Sequence, residues 1–232
     1  MRTISFDKYL FRCSSLGGLM TYPEKDTLSA GPKTILGSIF KEQIFGKTRE
    51  IKSKYLEKGK LVEGESIEMY NQLKGTNHVK NSKRYNNDYI TGEPDIISDV
   101  LVDIKSPWDY TTFPFTSESL PSKDKGYYWQ LQGYMALTGM KTSTVAYCLV
   151  NTPDGIIYND MKTTAGQLGL HVDDLPDDLV QEMWDSHRYE DIDINIRVKE
   201  FVVERNQEDI DAIYKRVELA RGYLNDLNQL LT

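Results

Sequence analysis

The sequence predicts a mixed α/β fold, with a central mixed β-sheet flanked by helices. Three observations carry this. The stretch from Gly92 to Lys105 reads as a loop followed by two short strands, and Thr-Ser-Thr-Val-Ala-Tyr-Cys-Leu-Val at 142–150 reads as a buried strand. The third is a set of long segments whose apolar residues recur at three and four, as on one face of a helix.

Along the chain, Ser14 and Ser15 precede an apolar pattern and suggest a helix start, weakened by Gly17 and Gly18. Residues 21–32 read as a loop. From Lys33 the spacing of Ile35, Leu36, Ile39, Phe40 and Ile44 predicts a helix that pauses at Gly46. A second helix is predicted over 50–73, with Ile51, Tyr55, Leu61, Val62, Ile67 and Tyr70 on its apolar face. It also holds Glu63, Glu65 and Glu68; most glutamates on such a helix face solvent, and one turned to the sheet would join a site there. A strand is expected at 85–90, and after Lys105 the Ser106-Pro107 pair ends the next one. Residues 111–124 read as loop, and 124–137 as a helix stopping at Gly139, on which Gln130 and Tyr134 share a face. Two short helices are expected at 160–169 and 176–187, and a strand at 193–204. Asn206 then caps a closing amphipathic helix running to Leu231. No repeat, linker or second domain is visible, so one domain over 1–232 is expected.

Composition bounds the function. The 232 residues, 39% hydrophobic, suffice for one sizeable core. No run approaches the ~20 apolar residues of a membrane span, and the N-terminal stretch lacks the long apolar segment of a signal peptide. Cys13 and Cys148 cannot supply a four-cysteine site, and no pair among His78, His171 and His187 has metal-ligand spacing. A cytosolic protein is expected. The net charge of -7 argues against a polyanionic partner until its distribution is considered. Residues 33–84 carry 12 basic and 6 acidic side chains, whereas residues 85–232 carry 12 and 26. A basic first half beside acidic residues is compatible with a local phosphate-binding face, although basic helices are commonly just solvated.

The chemistry concentrates at Pro94-Asp95 and Asp103-Ile104-Lys105. On a strand Asp103 and Lys105 project from one face and Ile104 from the other. Two carboxylates and a lysine at a sheet edge make a hard-oxygen site for Mg²⁺ with a cation beside it, the equipment for phosphodiester hydrolysis. Alone, an acid-x-Lys is more commonly a solvated strand face and Pro-Asp a turn. What raises them is their company.

Gly59-Lys60-Leu61-Val62-Glu63, then Pro94-Asp95 … Asp103-Ile104-Lys105, then Gln130-x-x-x-Tyr134 resembles the PD-(D/E)xK nuclease superfamily, which implies a restriction-endonuclease-like core. More closely it resembles the phage lambda exonuclease and YqaJ-type viral recombinase branch, over roughly residues 14–150. The family's helix pattern is matched by Gly59, Glu63, Ser66, Met69 and Tyr70, and its strand end by Asp103-Ile104-Lys105-Ser106-Pro107. Its Gln-x-Gln is matched by Gln130-Leu131-Gln132, and its phosphate-touching early segment falls on Cys13-Ser14-Ser15. The chain departs from the pattern in having Asp103 where many relatives have Glu, and Ile96 where Gly follows the aspartate. Of the arginine that binds a terminal 5′-phosphate in relatives, Arg12 is the candidate.

The resemblance implies Asp95, Asp103, the Ile104 carbonyl and Glu63 as ligands of Mg²⁺, with Mn²⁺ able to substitute. It implies Lys105 as the residue positioning the attacking water, oriented with it by Gln130 and Tyr134, and Ser14, Ser15, Arg12 and Tyr134 as contacts to DNA phosphate. It further implies 5′ to 3′ digestion of one strand of linear double-stranded DNA, a ring-shaped homo-oligomer such as a trimer, and a single-strand annealing protein as partner in phage-type recombination within the bacterial cytoplasm. Two alternatives stand beside it: an endonuclease on the same core, and a catalytically silent DNA-binding protein.

Overall fold

The structure, a computed structural model, describes residues 4–48, 53–116 and 126–230. Strand β1 (Phe11–Arg12) turns through a 3-10 segment, Cys13–Ser15, into the short α1 (Leu16–Leu19). Helix α2 (Ala30–Phe45) begins three residues before the apolar spacing at Lys33, since Pro32 fits a first helical turn, where its missing N–H has no role. It ends at Gly46 with φ of 59°, a left-handed cap suited to glycine. Helix α3 (Lys54–Lys74) ends in the same way at Gly75; the predicted start at Glu50, with Ile51, lies outside the described residues.

The strand expected at 85–90 is instead two strands, β2 (Tyr85–Asn86) and β3 (Ile90–Gly92), paired antiparallel. Asn87 breaks the run, its side-chain oxygen accepting from the Tyr89 and Ile90 amides at 2.9 Å each to make the turn. With β1 parallel to β3, these form a three-stranded sheet in the order β1-β3-β2.

The second sheet carries the predicted acids. Strands β4 (Ile96–Ile97) and β5 (Leu101–Lys105) pair antiparallel, and β5 then runs parallel to β6 (Thr142–Cys148). Between them in sequence lies α4 (Gly126–Thr138), whose predicted start at residue 124 falls outside the described residues. Helix α5 (Asp154–Leu168) starts six residues before the expected position, directly behind Pro153 and with Asp154 in its first turn. Helix α6 (Asp177–Asp185) follows.

The strand expected at 193–204 splits into α7 (Ile194–Arg197) and β7 (Val198–Glu204), because the Asp193 carboxylate accepts from the Asn195 amide at 2.7 Å and caps a helical turn. Strand β7 pairs antiparallel with β6, giving the order β4-β5-β6-β7. Asn206 caps α8 (Gln207–Gln229) as predicted, accepting from the Asp209 amide at 3.2 Å.

Strand alternation divides the core. Leu101 and Val145 face one side, against Leu16, Leu36, Trp129, Leu131 and the Ile213, Val217 and Leu224 stripe of α8. Each such fully buried aliphatic contributes about 2 kcal/mol. Val102, Ile104, Ala146 and Cys148 face the other side, against Val62, Ile67, Met69 and Tyr70 of α3. The remaining predicted apolar residues of α3, Tyr55 and Leu61, are exposed, since only one side of that helix meets the sheet. The site thus lies where α4, α3 and the end of β5 approach one another.

Candidate active site

Asp103 is buried on the α4 side of β5. Its Oδ1 accepts a 2.9 Å hydrogen bond from the Gln130 side-chain amide, which also reaches the Tyr134 hydroxyl at 2.9 Å. The helical spacing of Gln130 and Tyr134 is what lets one amide serve both. Oδ2 of Asp103 is ion-paired with the Lys105 ammonium at 2.6 Å, and among the described residues it has no other polar partner. Lys105 sits two residues along the same strand, so the contact follows directly from the pleat. Burial opposes its positive charge, but the Asp103 and Asp95 carboxylates more than offset that and hold its pKa above the ordinary lysine value.

Asp95 stands just before β4, and its Oδ2 accepts from the Ile104 amide at 2.7 Å. That bond places the second carboxylate beside the middle of β5. Burial, with the Asp103 charge adding to it, pushes the Asp95 pKa well above the usual carboxylate range, and Lys105 only partly counters this.

A cavity of about 700 Å³ opens over these groups, and Glu63, Asp95, Asp103, Ile104, Lys105, Gln130 and Tyr134 all line it. Of the four glutamates on α3, Glu57, Glu65 and Glu68 are exposed and Glu63 is the one that reaches the cavity. Its carboxylate is paired with Lys80. Among the described residues no three His, Cys, Asp or Glu side chains are gathered into a ready metal cage. The donor set nonetheless fits a hard divalent cation: two adjacent carboxylates, Asp95 and Asp103, line one cavity with Ile104, all oxygen donors of the kind such an ion takes.

Comparison with known proteins bears on this arrangement. No protein-family model and no curated protein matches the sequence. Among solved structures, a phage-related exonuclease from Haemophilus somnus 129PT superposes with a TM-score of 0.75 at 26% identity, over 97% of this chain and 97% of that one. The chain has the phage-exonuclease fold. An alkaline exonuclease from Laribacter hongkongensis shares it at a TM-score of 0.63 and 17% identity, over 97% of this chain and 92% of that one. So does the same exonuclease in complex with dAMP, at 0.60 and 16%.

On the phage-exonuclease fold, the resemblance carried by Glu63, Asp95, Asp103, Lys105 and Gln130 becomes a single cavity wall. The phosphate candidates divide. Ser14 and Tyr134 line the cavity. Ser15 stands at the start of α1 without making a side-chain cap bond, and Arg12 lies on the exposed side of β1, outside the cavity lining.

Several contacts that build the site had no signal in the sequence. Lys58 is fully buried, donating to the Trp108 carbonyl at 2.9 Å and the Val150 carbonyl at 3.1 Å, and so ties α3 to the segments following β5 and β6. Ser66 and Ser106 join α3 to the end of β5 by a 2.8 Å hydroxyl contact. The Lys80 pairing with Glu63 links residues too far apart in sequence for any local pattern to reveal.

Proposed function

We propose that this protein is a Mg²⁺-dependent deoxyribonuclease, an exonuclease digesting one strand of linear double-stranded DNA from 5′ to 3′. The observation that carries this reading is the Asp95, Asp103, Lys105 and Gln130 cluster, lining one cavity on the phage-exonuclease fold. Asp95, Asp103, the Ile104 carbonyl and Glu63 would hold the ion, with Mn²⁺ as a substitute. When bound, it supplies Lewis acidity toward a phosphate and lowers the pKa of water.

The chain's own groups do the rest. The Ile104 amide fixes the Asp95 carboxylate, and Gln130 fixes that of Asp103. Lys105, kept charged by Asp103, positions the attacking water and offsets charge growing on the phosphate oxygens. Tyr134 fixes Gln130 from behind. Ser14, Ser15, Arg12 and Tyr134 are the proposed contacts for the DNA phosphate. Assembly as a ring such as a trimer, a single-strand annealing partner and a place in phage-type recombination in the bacterial cytoplasm belong to the same proposal. Among the described residues, no helix is long and apolar enough to cross a membrane.

Digestion of an end-labelled linear duplex beside a closed circle of the same sequence, with Mg²⁺ or EDTA, tests the reading. Loss of the linear duplex alone, and only with Mg²⁺, is expected, and the label position gives polarity. Cutting of the circle would replace the exonuclease with an endonuclease. No cutting of either would replace it with a DNA-binding protein.

A further inference from the structure

Lys105 has a second neighbour that the reading above does not use. The Lys105 ammonium lies 4.9 Å from the centre of the Tyr127 ring, over its face. Tyr127 is 40% exposed and lines the same cavity as Lys105.

The ring is held from two directions. Tyr147, paired with Lys105 across β5 and β6, meets it edge-on with ring centres 6.3 Å apart. One residue before it, Gly126 touches α1 so closely that a Cβ on Gly17 would stand 2.4 Å from the Gly126 Cα. Backbone against backbone, α1 and α4 fix where the first turn of α4 begins, and with it the ring. The ring face and the Asp103 carboxylate then bound the ammonium together. A lysine side chain has several rotatable bonds and three donors; one ion pair limits its reach, and a cation–π contact limits its direction as well.

We infer that Tyr127 is a positioning residue, whose ring face holds the Lys105 ammonium beside Asp103 and aimed into the cavity. The inference rests on the role given to Lys105 above. The ring itself, not the hydroxyl, supplies the contact.

Steady-state cleavage of a linear duplex by Tyr127→Leu, Tyr127→Phe and Lys105→Ala tests this, alongside NMR of the Lys105 ε-methylene protons without DNA or metal. Tyr127→Leu is expected to lose about tenfold in kcat with KM within about twofold, and Tyr127→Phe to restore kcat. The ε-methylene signals should lie upfield in the wild type and Tyr127→Phe, shifted by the ring, and return to ordinary positions in Tyr127→Leu.

Unshifted wild-type signals, an unchanged kcat in Tyr127→Leu, or equal losses in both Tyr127 variants would overturn the inference. A rise in KM alone would also overturn it and make the ring a substrate contact. Full activity in Lys105→Ala would remove the role of Lys105 and the inference with it. An inactive Lys105→Ala beside a fully active Tyr127→Leu would remove the inference alone.

Discussion

Gln130 and Asp103 are joined from helix to sheet by a single 2.9 Å hydrogen bond, from the Gln130 amide to Asp103 Oδ1. The bond directs a buried carboxylate whose other oxygen faces Lys105. Gln130→Leu removes the only donor aligned on Oδ1 among the described residues, leaving Lys105 alone to orient the carboxylate. Cleavage of a linear duplex should fall by about 10–100-fold, the usual effect of losing a partner that orients a ligand. Most of the loss should appear in kcat, which single-turnover assays would measure.

Lys58 gives a prediction about stability and pH. Burial lowers its pKa to about 8, from an ordinary value of 10.5. Asp109 and Glu65 oppose that shift, and His187 also lies close enough to interact. Between those two pH values the unfolded chain holds the Lys58 proton and the folded one does not, so folding stability gains as pH rises. Below about pH 8 the cost of the buried charge is fully present. Urea unfolding of the wild type and Lys58→Met should therefore show the wild type gaining on the variant from pH 8 to 10.5. A constant difference would refute the shift. The raised pKa values of Tyr128 and Tyr134 destabilise the folded state above about pH 10, but they are common to both proteins and cancel in the difference.

Gly92 marks a close approach. A Cβ there would stand 2.7 Å from Tyr134 Cε1 and 2.8 Å from Cys13 Sγ. Gly92→Ala should cost about 1–3 kcal/mol in a urea titration, the usual penalty of overpacking. Because the displaced ring carries the hydroxyl bonded to Gln130, activity should fall as well. An alanine variant as stable and active as the wild type would count against this packing.

Much of the site could be read from local spacing. The pleat alone places Asp103 and Lys105 on one face, and helical periodicity alone brings Gln130 to Tyr134. Glu63 reaches the cavity from α3 as the family pattern implies, although its pairing with Lys80 depends on a loop conformation that no periodicity encodes.

The fold was less legible where elements are short. Strands of two or three residues, such as β2 and β3, are too brief to show alternation, and the Asn87 turn divides what reads as one run. The same holds for α7, where a single aspartate cap outweighs an alternating pattern. Lys58 was invisible because a lysine on a helix ordinarily reaches water; only the carbonyls of Trp108 and Val150, distant in sequence, make its burial possible.

Lys105 should separate cleavage from cation binding. Lys105→Ala removes the ammonium but leaves Asp95 and Asp103 in place, so calorimetry should find Mg²⁺ affinity largely preserved while cleavage falls by at least about 100-fold. Loss of both together would assign Lys105 a structural role instead.

In the proposed reaction the paired acids Asp95 and Asp103 run phosphodiester hydrolysis. Asp103→Asn keeps the shape of the side chain and removes its charge. The decisive measurement is digestion of a 5′-labelled linear duplex by wild type and Asp103→Asn with Mg²⁺, with DNA binding measured in parallel. Digestion by the wild type, none by the variant, and similar DNA affinity for both are expected. Wild-type turnover in Asp103→Asn would contradict this role of the acids.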